Sequence, residues 1–114
     1  MQVVHDQITL QELKKMSEKM FESLVKAVVD IEQGIMVVDA SMHADEEFLL
    51  LENGSQQENL WGINLFPDKW GKEDFIVFDS MINLRPSQGN RSRSVENQKI
   101  REQIITIVNR LVKP

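Results

Sequence analysis

The chain has 114 residues, a net charge of −5 and no cysteine, so disulfides and thiolate metal sites are excluded. A length near the commonest domain size supports one domain over residues 1–114, able to hold a core without staples. Its acidity argues against a general nucleic-acid coat protein, whose affinity comes from neutralising phosphates.

The short apolar stretch Val3-Val4 is a candidate edge strand. Thr9-Leu10-Gln11-Glu12 then has the form of a capping box. Leu10, Leu13, Met16, Met20, Leu24, Val28 and Ile31 follow at spacings of three and four, and Gly34 is a natural residue to end a helix. The pattern predicts a helix over 9–33. From Gly34 the period becomes two, which predicts a strand over 35–45 with Asp39, Ser41, His43 and Asp45 on a wet face. Phe48-Leu49-Leu50-Leu51 fits either a strand or a short helix started near Asp45. Asn53-Gly54 favours a strand over 47–52, turned back by a hairpin into a strand over 59–66. There Trp61, Ile63 and Leu65 share the core phase, whereas Trp70 lies in a charged turn and is expected at the surface. The last and strongest strand is placed at 74–84. A polar loop follows, and then a helix over 95–112 with Ser94 as its N-cap and Ile100, Ile104, Val108, Leu111 and Val112 as its buried stripe. Together these elements predict an α+β domain: an antiparallel sheet of three to four strands with an N-terminal and a C-terminal helix.

The strings HADEE (43–47), GSQQENLWGIN (54–64) and FDSMINLRPSQGNRSR (78–93) resemble a family of small bacterial proteins known only as a domain of unknown function. The resemblance covers most of the chain. It implies a shared fold and brings no activity, cofactor or catalytic residue with it.

Function must therefore be read from the residues, and the clearest signal is charge. Residues 1–84 carry six Lys/Arg against sixteen Asp/Glu, and residues 85–114 carry seven against two. The segment Arg85–Arg93 reads R-P-S-Q-G-N-R-S-R and leads to a helix start, where free amides favour an anion. Guanidinium groups bind phosphate or carboxylate through paired donors. The expected ligand-binding set is Arg85, Gln88, Gly89, Asn90, Arg91, Ser92, Arg93 and Ser94. It belongs to a small binding module for a phosphate, nucleotide, RNA or acidic peptide. The bland reading, weighted slightly higher, pairs these arginines with the protein's own carboxylates or those of a second copy in a homo-oligomer.

The alternative is a metal-independent, toxin-like ribonuclease. His43, Asp79 and Arg85 would do its chemistry, assisted by Arg91 and Arg93, provided the polar faces of two strands coincide. Such enzymes are usually basic, and this chain is not. His43 with Asp45 and Glu46 is a weak metal pattern, His5 has no way to join it, and neither metal nor cofactor is expected. No run approaches the roughly 20 apolar residues of a membrane span. Met1–Leu10 is too short and polar for a secretory leader, so a cytoplasmic location without a membrane partner is expected.

Overall fold

A computed structural model describes residues 1–114. In chain order the elements are β1 (Gln2–Val4), β2 (Ile8–Thr9), α1 (Leu10–Met20), β3 (Val25–Asp30), β4 (Ile35–Val38), α2 (His43–Glu52), β5 (Leu60–Leu65), β6 (Ile76–Val77), α3 (Gln98–Leu111) and β7 (Val112–Lys113). Five strands form one antiparallel sheet in the order β1-β4-β3-β5-β6. β2 and β7 form a separate parallel pair that ties the start of α1 to the end of α3. The domain is α+β, with the N-terminal and C-terminal helices where the sequence puts them.

α1 begins as expected. Thr9 Oγ1 accepts from the Glu12 amide at 3.1 Å and lies 3.2 Å from Glu12 Oε1. The helix stops at Met20, not at residue 33, and Glu22 takes the left-handed position after its end with φ 66°. The residues read as its fifth and sixth turns form β3, the central strand. Val25, Ala27 and Val29 face one side of the sheet and Val28 the other, all buried. A strand covered on both faces shows a continuous apolar run instead of alternation, and over so short a stretch that run imitates a helical stripe.

The strand expected at 35–45 ends at Val38, and Asp39 turns the chain with φ 71°. The strand expected at 47–52 is helical, because α2 spans His43–Glu52. Ala44, Glu46, Glu47 and the leucines are good helix formers, and Gly54, at φ 99°, stops the helix after Asn53. The strand expected at 59–66 is β5, with Trp61, Ile63 and Leu65 in the core as predicted. At 74–84 only Ile76 and Val77 form a strand. Short 3₁₀ turns occupy Glu73–Phe75 and Met81–Asn83. α3 is capped by Asn97, whose side chain accepts from the Ile100 amide, while the Ser94 hydroxyl is engaged by Arg101. Trp70 is half-buried and meets the Phe75 ring edge-on at 5.0 Å.

The sheet is sandwiched. α1 and α3 cover one face through Leu13, Ile104, Val108 and Leu111, and α2 covers the other, where Leu50 packs on Val28, Val37 and Leu60. At the middle of β5 lies Gly62. A Cβ there would stand 2.6 Å from the Ser80 side chain, so the segment after β6 lies against bare backbone. Gly62→Ala is expected to lower stability by about 1–3 kcal/mol through overpacking, read as a lower urea midpoint at unchanged slope. A neutral result would mean that Ser80 moves freely.

Candidate functional site

On the α2 face, the start of β3, the end of β5 and the start of α2 leave a gap that α2 does not fill. Residues 79–82 and Arg93 close it into a cleft of about 220 Å³. Lys26 and Asn64 are direct partners in the β3–β5 register and present their side chains on this face. His43 and Ala44 contribute the first turn of α2, which begins at Met42 without any side-chain cap. The Asp45 amide donates to the Met42 carbonyl at 3.2 Å, while the amides ahead of it have no acceptor within their own helix and carry the positive end of its dipole.

His43 is nearly buried, and its Nε2 lies 2.8 Å from the carbonyl oxygen of Ile63. A carbonyl only accepts, so Nε2 carries the proton and Nδ1 the lone pair. Burial holds the imidazole below its ordinary pKa of 6.5. The Ile63 carbonyl and Asp79 oppose this, and Lys26 and Arg93 reinforce it. Arg93 Nε donates to Asp79 Oδ1 at 2.7 Å, both side chains being about half exposed. Its terminal nitrogens have no partner within the chain. The Asn64 side-chain amide reaches the Asp79 carbonyl at 3.3 Å, and its own oxygen is buried without a donor.

The expected site residues divide into two groups. His43 and Asp79 do meet, although neither lies on a strand: His43 opens a helix and Asp79 lies in the loop after β6. The guanidinium beside them belongs to Arg93, not Arg85. Arg85 stacks over the Trp61 ring at 4.2 Å and donates to the carbonyls of Gln57 and Leu60, the latter at 2.6 Å. Gln88 donates to the Glu58 carbonyl, and Gly89 supplies a left-handed turn with φ 81°. Asn90 is buried. Its amide donates to the carbonyls of Asn83 and Ser94 at 2.7 Å, and its oxygen accepts from the Glu96 amide. The Ser92 hydroxyl accepts from the Ser94 amide. Arg91 is exposed and makes no ion pair or side-chain hydrogen bond. Most of the loop thus binds the protein's own backbone.

Sequence reading missed Lys26 and Asn64, because Lys26 falls inside the run taken as helix and Asn64 lies in a strand valued for its apolar phase. It also missed the function of Asn83. That side chain accepts from the Gly62 amide at 2.8 Å and donates to the Gly62 and Arg93 carbonyls at 2.9 and 3.0 Å. No periodicity marks such a residue. Glu46, weighed only as a weak metal ligand, is fully buried with neither carboxylate oxygen hydrogen-bonded. Burial pushes its pKa up to about 10, with the Ala40 backbone and Lys26 opposing. Asp45, its supposed partner, is exposed, and no group of three His, Asp or Glu side chains is arranged to hold a metal ion.

A two-faced antiparallel sheet with a small cleft, partly charged and partly apolar, at an uncapped helix start defines a small α+β domain with one candidate ligand site. The chain belongs to the family described as protein of unknown function (DUF5674), whose model matches residues 2–111. Comparison with curated proteins and with solved structures gives no match.

Glu46 makes stability depend on pH in a direction opposite to most carboxylates. Folded, it holds its proton up to about pH 10, whereas the unfolded group loses it near its ordinary 4.5. Its contribution is therefore complete below pH 4.5 and falls as pH rises toward 10. His43 acts only below 6.5, where acid destabilises the fold, so the alkaline side isolates Glu46. Between pH 7 and 9 the protein should lose about 3 kcal/mol, at roughly 1.4 kcal/mol per pH unit. Glu46→Gln should flatten that decline in urea titrations. Parallel curves for protein and variant would show that Glu46 is ionised when folded.

Proposed function

We propose that the protein is a small binding module whose cleft seats the phosphate group of a small phosphate ester. The phosphate lies between Arg93, Lys26 and the first turn of α2. The observation that carries this reading is convergence: two cations from distant parts of the chain and an uncapped helix start line one cleft. A free anion-binding helix terminus beside a guanidinium is favourable for phosphate because both supply several donors at once. Asp79 holds Arg93 by Nε alone, which leaves the terminal nitrogens to bind a ligand in paired geometry. His43 adds no charge of its own, since its neutral imidazole commits its proton to Ile63. At about 220 Å³ the cleft suits one phosphate and not a whole nucleotide, so the remainder of the ligand lies outside over Met42 and Met81. Those two side chains are 55% and 62% exposed, a ready apolar rim.

Arg93 is the member of the expected Arg85–Arg93 set that carries this proposal. Arg91 lies two residues away and adds positive potential, while Arg85, Gln88 and Asn90 hold the loop in shape.

One observation favours a second reading, a ribonuclease-like enzyme. A neutral imidazole of fixed tautomer beside Asp79 and Arg93 has the composition of a general base with a charge stabiliser. Cleavage of a mixed-sequence RNA that is abolished in His43→Ala would support it, and inert RNA would remove it.

The binding reading is tested by titrating inorganic phosphate into ¹⁵N-labelled protein at low ionic strength, with chloride at equal ionic strength as control. Saturable shifts are expected at His43, Ala44 and Asn64. Arg93→Gln should weaken them at least tenfold, about 1.4 kcal/mol. Shifts identical to those in chloride, or unchanged in the variant, would end it.

A further inference from the structure

A second surface, independent of the cleft, has the form of a peptide groove. β6 is the last strand of the sheet. Its register pairs Asn64 with Val77 and Leu65 with Ile76, and the Phe66 amide donates to the Phe75 carbonyl at 2.9 Å. Hydrogen-bonded and non-hydrogen-bonded pairs alternate along an antiparallel ladder. Phe75 and Val77 therefore turn their backbone groups toward β5, and Ile76 turns its N–H and C=O outward. Phe78 continues the extended chain and makes no backbone hydrogen bond. Farther along β5 the edge is sealed, by the Asn83 side chain on Gly62 and by Arg85 on the Leu60 carbonyl. Only the β6 stretch stays open.

Proteins usually blunt such an edge or cover it. Here α3 stands off from it across a groove of about 750 Å³, within the size range of ligand sites. The helix wall consists of Gln98, Arg101, Ile105 and Asn109, one face at spacings of three and four. Trp70 and Phe75 close one end. Arg101 is pre-positioned. Its guanidinium lies 4.5 Å above the Phe78 ring and donates to the Val95 carbonyl and the Ser94 hydroxyl, yet no carboxylate pairs with it. At the mouth Lys72 and Glu73 are both in no ion pair and offset one another, whereas Asp74 is already held by Lys69 at 3.1 Å. The charge left unanswered on the helix wall is positive.

We propose that this groove docks an extended segment of a protein partner by strand addition to β6. An aspartate or glutamate side chain of that segment meets Arg101, and an apolar residue lies against Ile105 and Trp70. Main-chain bonds to Ile76 and Phe78 supply affinity, and the acidic residue sets register.

The test is panning of a phage-displayed peptide library against the full chain, followed by titration of synthetic, C-terminally amidated copies of the enriched peptides. Acidic sequences should be enriched, and amidated peptides should bind and protect the Ile76 and Phe78 amides from hydrogen exchange. Replacing the peptide's acidic residue by its amide, or Ile105→Lys in the protein, should each weaken binding at least tenfold. Ile105 is 37% exposed, so the lysine is tolerated by the fold. Arg101→Gln gives an independent check, because it removes the charge on the helix wall without touching the β5 ladder, and it should weaken binding to a similar extent. No enrichment over the unselected library, protection at other amides, unchanged affinity in both protein variants, or a requirement for a free terminal carboxylate would overturn the proposal.

Discussion

One side-chain amide, that of Asn83, completes the sheet where strands run out. β6 covers only the end of β5, and the backbone of Gly62 would otherwise lie buried without partners. Asn83 supplies one donor and one acceptor, as a neighbouring strand would, and uses the same amide to hold the Arg93 carbonyl. The missing side chain at Gly62 is what lets this segment approach. Because buried backbone groups are costly to leave unpaired, the pairing fixes the path from Asp79 to Arg93. It thereby places the ion pair that walls the cleft. The Ser80 amide donating to the Arg93 carbonyl at 3.0 Å is the second point of the same attachment.

Two buried acids near opposite ends of the sheet contrast in how their polarity is met. Asp30 accepts from the Glu32 and Gln33 amides, the Gln33 side chain and the Ser55 hydroxyl, all between 2.6 and 3.0 Å. It organises the turn after β3 and joins it to the loop after α2. Glu46 has no such set and keeps its proton instead. The first arrangement is structural. The second is unpaired buried polarity, and Glu46 lies one helical turn from His43.

The charge asymmetry of the chain has a largely internal use. Arg85 and Arg101 each bind backbone carbonyls and lie over an aromatic ring. Arg110 reaches the carbonyl of Gly34. Carbonyl oxygens attract guanidinium donors as carboxylates do, so a positive segment can be consumed by neutral backbone with no acid nearby. Charge counting cannot register that outcome. Among the arginines, what is left over after this consumption is Arg93 by its terminal nitrogens, Arg91, and Arg101 by one edge.

The α+β class, the capped start of α1, the phase of β5 and nearly all of α3 were legible in the sequence, because each rests on local chemistry: a capping pair, alternation over six residues, a stripe over four turns. That His43 and Asp79 come together was legible, though not that one opens a helix and the other lies in a loop. Tertiary structure decided the rest. Val25–Asp30 becomes a strand because sheet neighbours and helices bury both its faces, and apolar spacing over so few residues does not separate that from a helix. His43–Glu52 becomes a helix because α2 must roof the second face. Arg85 and Arg93, expected to act together, part company because only the folded edge of β5 determines which guanidinium meets backbone carbonyls and which borders a cleft.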